Sequence, residues 1–147
     1  MQEMWDRRWL SLVAMTSGWG APGGTGVASA IVAPPDRLVS LGVNGLPPGI
    51  APQPERLAPE GERAFWCEHS ERAALYHALA NGAGVRGATI YSSMFPCADC
   101  MRGIILSGLA RVVVPASAQP SAAYRVSVGI ARQMLDEAGI ALSLVVD

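Results

Sequence analysis

The sequence predicts an α/β sandwich in which a single domain spans residues 1–147. Two strand patterns come first, and helical and strand patterns then alternate to the end of the chain, an order typical of α/β proteins. Hydrophobic residues make up 50% of the chain, enough to bury one core of ordinary size. The three later strands should be parallel, because a helical pattern separates each from the next and right-handed crossovers join such strands.

Four segments of the chain predict helices. Apolar residues recur at helical spacing from Trp5 to Val13, and the second helical segment is rich in alanine and leucine. Glycine follows or closely follows the last three segments, where it is a common helix stop. The predicted helices lie at 5–17, 69–80, 97–107 and 122–138.

Five apolar runs of strand length predict the sheet. The residues Pro34-Pro35-Asp36 are predicted to form the turn between the first two strands. The segment 45–66 holds five of the 11 prolines and predicts a long irregular loop, which often forms a wall or lid of a functional site. The predicted strands lie at 25–33, 38–44, 88–95, 109–116 and 140–146.

Composition and charge exclude several classes of protein. A net charge of −1 gives no electrostatic reason to expect a nucleic-acid or membrane partner, so binding to nucleic acid is not expected. The chain contains neither an apolar run long enough for a membrane helix nor a signal-peptide core at its N-terminus, and we expect a cytoplasmic protein. Three cysteines are too few for a disulfide framework.

The apolar content favours a homo-oligomer with buried subunit faces.

Two short motifs carry the chemistry, and each lies where a helix is predicted to begin. The first is His69-Ser70-Glu71, and the second is Pro96-Cys97-Ala98-Asp99-Cys100. One imidazole and two thiolates suit Zn²⁺, and a catalytic zinc site leaves its fourth position to a water whose pKa the metal lowers toward about 7. Glu71 is then placed beside the metal without ligating it, where a carboxylate can move protons.

The two motifs and their surroundings resemble the cytidine and deoxycytidylate deaminase superfamily, most closely its deoxycytidylate branch. H-x-E followed by P-C-x-x-C is the signature of the zinc deaminases. The first strand pattern, the segment 41–47 and the strand leading to Cys97 are also similar to that branch, so the resemblance covers nearly the whole chain. It implies a three-layer α/β/α cytidine-deaminase-like fold with a five-stranded mixed sheet.

The resemblance also implies the site and its substrate. His69, Cys97 and Cys100 would bind zinc, and Glu71 would be the proton shuttle. By this resemblance the substrate-binding residues would be Asn44, Ser70, Ser93 and Phe95. Trp66 is added to them because it lies just before the metal ligand His69 in the sequence. The implied activity is the zinc-dependent hydrolytic deamination of a cytosine-type nucleotide, dCMP or CMP, to its uracil form with release of ammonia. Arg56 and Arg63 are candidates for binding a phosphate.

Other interpretations stay open at this point. The substrate could be a nucleoside, a free base or another aminated heterocycle such as guanine or a pterin, and the chain could be a non-catalytic zinc scaffold. Cys97 and Cys100 could form a redox pair. Alternatively, these two cysteines could form a closed structural Cys3His zinc site together with Cys67 and His69. Tyr124 could close over a ligand, although simple packing is the favoured interpretation.

Overall fold

The computed structural model describes residues 1–146, which form one five-stranded mixed sheet with helices on both faces. The strand order is β2-β1-β3-β4-β5. The first strand is antiparallel to its two neighbours, whereas the last three strands run parallel, as predicted. The helices are α1 (Gln2–Ser17), α2 (Pro54–Leu57), α3 (Arg63–Trp66), α4 (Ser70–Ala80), α5 (Ala98–Leu106) and α6 (Arg125–Glu137). The strands are β1 (Ala28–Ala33), β2 (Arg37–Val43), β3 (Thr89–Ser92), β4 (Arg111–Pro115) and β5 (Ala141–Val145).

The hydrophobic core has two parts, one on each face of the sheet, because alternate side chains of the central strands point to opposite faces. On one face, Ile31 and Ile90 pack with residues of α4, α5 and α6, including Met101 and Leu135. On the other face, alternate residues of the same strands pack against α1 through Val13. Successive side chains of a strand point to opposite faces, so strands buried on both sides produce the continuous apolar runs seen in the sequence. The three-layer α/β/α fold is confirmed.

Two predicted elements differ from the structure in ways that affect the site. The strand predicted at 88–95 ends at Ser92, because the chain leaves the sheet there to bring Cys97 to the start of α5. The segment 45–66 was predicted to be irregular, but it contains the two single-turn helices α2 and α3. No helix among residues 1–146 combines the length and apolarity needed to cross a lipid bilayer.

A buried ion pair ties α1 to the sheet on the face away from α4. The Asp6 carboxylate, 3% exposed, accepts two hydrogen bonds from the Arg111 guanidinium at 2.9 and 2.7 Å. The Tyr91 hydroxyl donates a third at 2.8 Å, and Gln2 donates a fourth at 3.0 Å. Burial would raise the pKa of Asp6, but the hydrogen bonds from Arg111, Gln2 and Tyr91 outweigh burial and lower it.

We expect Asp6→Asn to destabilise the fold by about 3 kcal/mol at pH 7, because it leaves the Arg111 charge without its buried partner. A lowered carboxyl pKa contributes stability that is present above the unfolded pKa and is lost as the pH falls through the folded one. The deficit of the variant should therefore shrink in acid. Urea unfolding at neutral pH and near pH 3 measures both effects. Asp136→Asn, at an exposed residue of α6, is the control, and an equal loss in both variants would contradict this role of Asp6.

Candidate active site

Two helix N-termini bring one imidazole and two thiols together. His69 is the N-cap residue of α4, and Cys97 is the N-cap residue of α5, with Cys100 in the first turn of α5. The Nδ1 atom of His69 lies 3.4 Å from the Cys97 Sγ and 3.5 Å from the Cys100 Sγ. Backbone N–H groups at the starts of both helices favour negative charge at this point, as thiolates require.

The two thiols have very different proton affinities. Hydrogen bonds from Cys100 and from His69 lower the pKa of Cys97 to about 4, despite its burial. The Cys100 pKa is raised, because its proton is held toward Cys97 and its sulfur is buried. The hydrogen bond with Cys97 likewise raises the pKa of His69. Metal ligands must be deprotonated, so binding of a metal cation here would release the protons that Cys100 and His69 hold in its absence.

The donor atoms fit a zinc ion. The ligand atoms of His69, Cys97 and Cys100 all lie within 4.8 Å of one another. Within residues 1–146, Cys67 is not a member of this cluster. Its thiol points to the Arg56 carbonyl, 3.9 Å away, so the structure does not assemble a closed Cys3His site. Three protein donors leave a fourth position for water, which is the arrangement of catalytic rather than structural zinc sites.

A buried carboxyl group stands beside these donors. Glu71 is 4% exposed, and its Oε2 lies 3.6 Å from the Cys100 Sγ and 3.3 Å from the Ser70 hydroxyl, which donates to it. The Ser70 hydroxyl also lies 2.8 Å from that of Ser29, which donates to Ser92 at 2.9 Å. Burial raises the pKa of Glu71. A carboxyl with a raised pKa can both accept and return a proton near neutral pH.

The metal-binding cluster opens onto a cavity of about 620 Å³, a size suited to a small organic ligand. Three of the five predicted substrate-binding residues line it: Asn44, Ser70 and Phe95. The Asn44 amide also bonds its neighbours, since its Oδ1 accepts from the Val27 N–H at 2.8 Å and its Nδ2 donates to the Thr25 carbonyl at 3.0 Å.

The other two predicted substrate-binding residues, Trp66 and Ser93, are not among the residues that line this cavity, and their contact with substrate stays a prediction. The Trp66 indole donates to Glu62 at 2.7 Å, and the Arg56 guanidinium lies over its ring at 4.1 Å. Arg56 is likewise not among the residues that line the cavity. The Ser93 hydroxyl accepts the Ala28 N–H at 3.1 Å and so continues the edge of the sheet.

Two further residues of the cavity wall, Tyr124 and Arg63, stand outside the five predicted substrate-binding residues. Tyr124, for which packing was the favoured interpretation, lines the cavity with its hydroxyl 3.5 Å from the His69 Nε2. Arg63 also lines the cavity, but its guanidinium donates to the backbone carbonyls of Pro22, Leu57 and Ala21 at 2.6, 2.8 and 3.1 Å. The position of Arg63 near the end of the proline-rich segment 45–66 was the available sequence signal for such a contact.

The fold and the site together define a zinc-dependent hydrolase with a small-molecule cavity. The sequence model of the cytidine and deoxycytidylate deaminase zinc-binding region matches residues 4–116, most of the chain. The chain therefore belongs to this family and is a hydrolytic deaminase.

Known proteins agree in sequence and fold. A probable deoxycytidylate deaminase of Drosophila melanogaster is 26% identical over an alignment of 145 positions that covers 92% of this chain and 70% of the fly protein. The dCMP deaminase of the cyanophage S-TIM5, solved with dCMP and dUMP, has a TM-score of 0.76 at 20% identity, covering 94% of each chain. The diaminohydroxyphosphoribosylaminopyrimidine deaminase/reductase of Thermotoga maritima has a TM-score of 0.62 at 23% identity, covering 95% of this chain and 35% of that one.

Proposed function

We propose that the protein deaminates a cytosine-type nucleotide of the dCMP or CMP class, giving the uracil form and ammonia. The observation that carries the proposal is the buried Glu71 carboxyl between the metal-binding cluster and the cavity. Two relatives support the choice of substrate: the probable deoxycytidylate deaminase of Drosophila melanogaster and the cyanophage dCMP deaminase that was solved with dCMP and dUMP.

His69, Cys97 and Cys100 would hold the zinc ion, which when bound supplies a Lewis acid that makes water a nucleophile at neutral pH. Glu71 has the two remaining tasks. It accepts a proton from the attacking water and passes it to the adjacent ring nitrogen as the new carbon–oxygen bond forms. It then moves the second proton, from the hydroxyl group so formed, to the amine nitrogen as the carbon–nitrogen bond breaks. Water and the aminated ring thus become a carbonyl and ammonia, and Glu71 returns to its starting state.

The cavity wall accounts for holding the ring. Phe95 is 5% exposed and lines the cavity, and the Arg132 guanidinium lies over its ring, 4.3 Å from the ring centre. An aromatic wall supplies apolar contact area for a planar base. Asn44 would contact the sugar, because an amide can donate to and accept from a hydroxyl. Its two present backbone bonds hold that amide at the cavity edge.

A second candidate is a deaminase of a nucleoside, a free base or another aminated heterocycle. Arg63 favours it, because at least three of the N–H groups of this cavity arginine already bond backbone carbonyls, which leaves fewer to grip a phosphate. The structural likeness to the Thermotoga maritima enzyme shows that the same fold is found in a deaminase named for a different aminated pyrimidine.

Ammonia release by the zinc-loaded protein separates these candidates. The panel is dCMP, CMP, deoxycytidine, cytidine, cytosine, guanine and a pterin, with Glu71→Gln as the control for contaminating activity. We expect turnover of a cytosine nucleotide at a kcat/KM at least about tenfold above that of its nucleoside, a preference of roughly 1.4 kcal/mol. Turnover of a nucleoside, base or pterin alone would transfer the assignment to the second candidate. No turnover with zinc bound would favour a non-catalytic scaffold.

A further inference from the structure

Tyr124 contacts the His69 imidazole at its Nε2 atom, whereas the Nδ1 atom of the same ring faces the sulfurs of Cys97 and Cys100. Its hydroxyl oxygen is 3.5 Å from the His69 Nε2, and the two rings meet edge to face with centroids 5.8 Å apart and planes at 66°. Tyr124 ends a short 3-10 turn, residues Ala122–Tyr124, and immediately precedes α6. The position of its ring is therefore set by the start of α6.

The other ring nitrogen of His69 faces the sulfurs, and this determines which nitrogen carries the proton when metal is bound. Nδ1 is the atom within 3.4 and 3.5 Å of Cys97 and Cys100. A neutral imidazole has one N–H group, and the nitrogen that binds a metal must offer a lone pair. The hydrogen is then on Nε2, where the oxygen of Tyr124 lies in position to accept it.

We propose that Tyr124 is a positioning residue, which accepts the Nε2–H of His69 and thereby holds the imidazole with Nδ1 toward the metal. Histidines that bind metals regularly donate their second ring nitrogen to such a partner, which fixes the tautomer and the ring orientation. The edge-to-face contact adds a steric limit on rotation of the ring. The inference rests on the metal site of the proposed function, but not on the identity of the substrate.

Tyr124→Phe tests the hydrogen bond, because it removes the hydroxyl and keeps the ring contact. We expect the zinc affinity to fall about tenfold, the lower end of the effect of removing such a partner. Competition with a chromophoric chelator measures the affinity, and unfolding of the metal-free protein should show unchanged stability. Tyr76→Phe is the matched control. Tyr76 is an exposed tyrosine of α4, seven residues beyond His69 and so about 10 Å along the helix axis.

Imidazole ¹⁵N spectra of the zinc-loaded protein provide a signature that a purely structural role would not move. The wild-type His69 should show a protonated Nε2 whose hydrogen exchanges slowly, and Tyr124→Phe should show faster exchange at the same nitrogen. Unchanged zinc affinity in Tyr124→Phe would overturn the proposal, as would an equal loss in Tyr76→Phe. A variant that keeps its zinc affinity and raises only KM would show that Tyr124 contacts substrate instead.

The outcome is independent of the substrate panel. If no compound releases ammonia but Tyr124→Phe still binds zinc about tenfold more weakly, the proposed function fails and the role of Tyr124 stands. If the wild type deaminates a nucleotide and Tyr124→Phe binds zinc as the wild type does, the function stands and the role of Tyr124 fails.

Discussion

Glu71→Gln is expected to abolish deamination while zinc stays bound. Positioned acid–base groups contribute factors of about 10² to 10⁴ to turnover, and Glu71 would serve both proton transfers, so we expect a loss near or above the upper figure. Zinc content should be unchanged, because the three donors of the metal-binding cluster are His69, Cys97 and Cys100. Ammonia release and metal analysis on the same sample measure both. Retained turnover would remove Glu71 from its role, and lost zinc would make it a ligand.

The same variant should also be more stable than the wild type. Burial raises the pKa of Glu71, so its ionised form disfavours folding at every pH above the unfolded value, and the penalty is absent in acid where both states are protonated. Replacing the carboxyl by an amide should stabilise the metal-free protein at neutral pH by on the order of 1 kcal/mol, as expected where a catalytic group is held in an unfavourable environment. Glu137→Gln, at an exposed residue of α6, should change neither stability nor turnover appreciably.

Cys97→Ala and Cys100→Ala should each lose zinc, together with the stability that zinc supplies. A ligand present at a thousandfold excess over its Kd stabilises the folded state by about 4 kcal/mol, and this contribution disappears with the site. Treating the wild type with a chelator should reproduce the loss. The stabilisation should also weaken in acid, because protons compete for the sulfurs and the imidazole. Thermal unfolding with and without zinc measures the difference.

Cys67→Ala is the matched control for the two ligand variants. Cys67 is a half-buried cysteine whose thiol points to a backbone carbonyl rather than to the cluster. It should keep its zinc and lose little stability. Zinc loss in Cys67→Ala equal to that of Cys97→Ala would instead indicate a closed four-ligand site, and unchanged zinc in Cys97→Ala would refute the ligand assignment.

The parts of the site that the sequence could predict are those that regular structure positions. His69 and Cys97 each begin a helix, and the Cys97 helix follows a strand of the sheet, so local patterns predict where in the chain the two helix starts lie. That the two starts meet is predicted by the zinc-deaminase motifs and not by the patterns of helix and strand. The same logic places Glu71 in the first turn of α4. Cytoplasmic location and homo-oligomerisation, inferred from composition, stay predictions.

The parts that the sequence could not predict depend on the paths of loops. Trp66 is close to His69 in sequence, but the single turn of α3 directs its indole toward Glu62 and Arg56. Tyr124 is 55 residues from His69, and only the path of the chain after β4 brings the two together. No periodicity constrains a side chain whose direction is set by such contacts.

The hydrogen bonds from Arg63 to two loops affect how the side chains around the cavity of this enzyme could change during evolution. Its guanidinium donates hydrogen bonds to the main-chain oxygens of Ala21, Pro22 and Leu57. Every amino acid provides a carbonyl, so these bonds require no particular side chain at the three positions, although a Cβ at Gly24 would lie 3.2 Å from the guanidinium carbon. Mutation could therefore change the side chains around the cavity mouth while the wall itself stays anchored, and selection for a new substrate would have positions to act on that leave His69, Cys97 and Cys100 untouched.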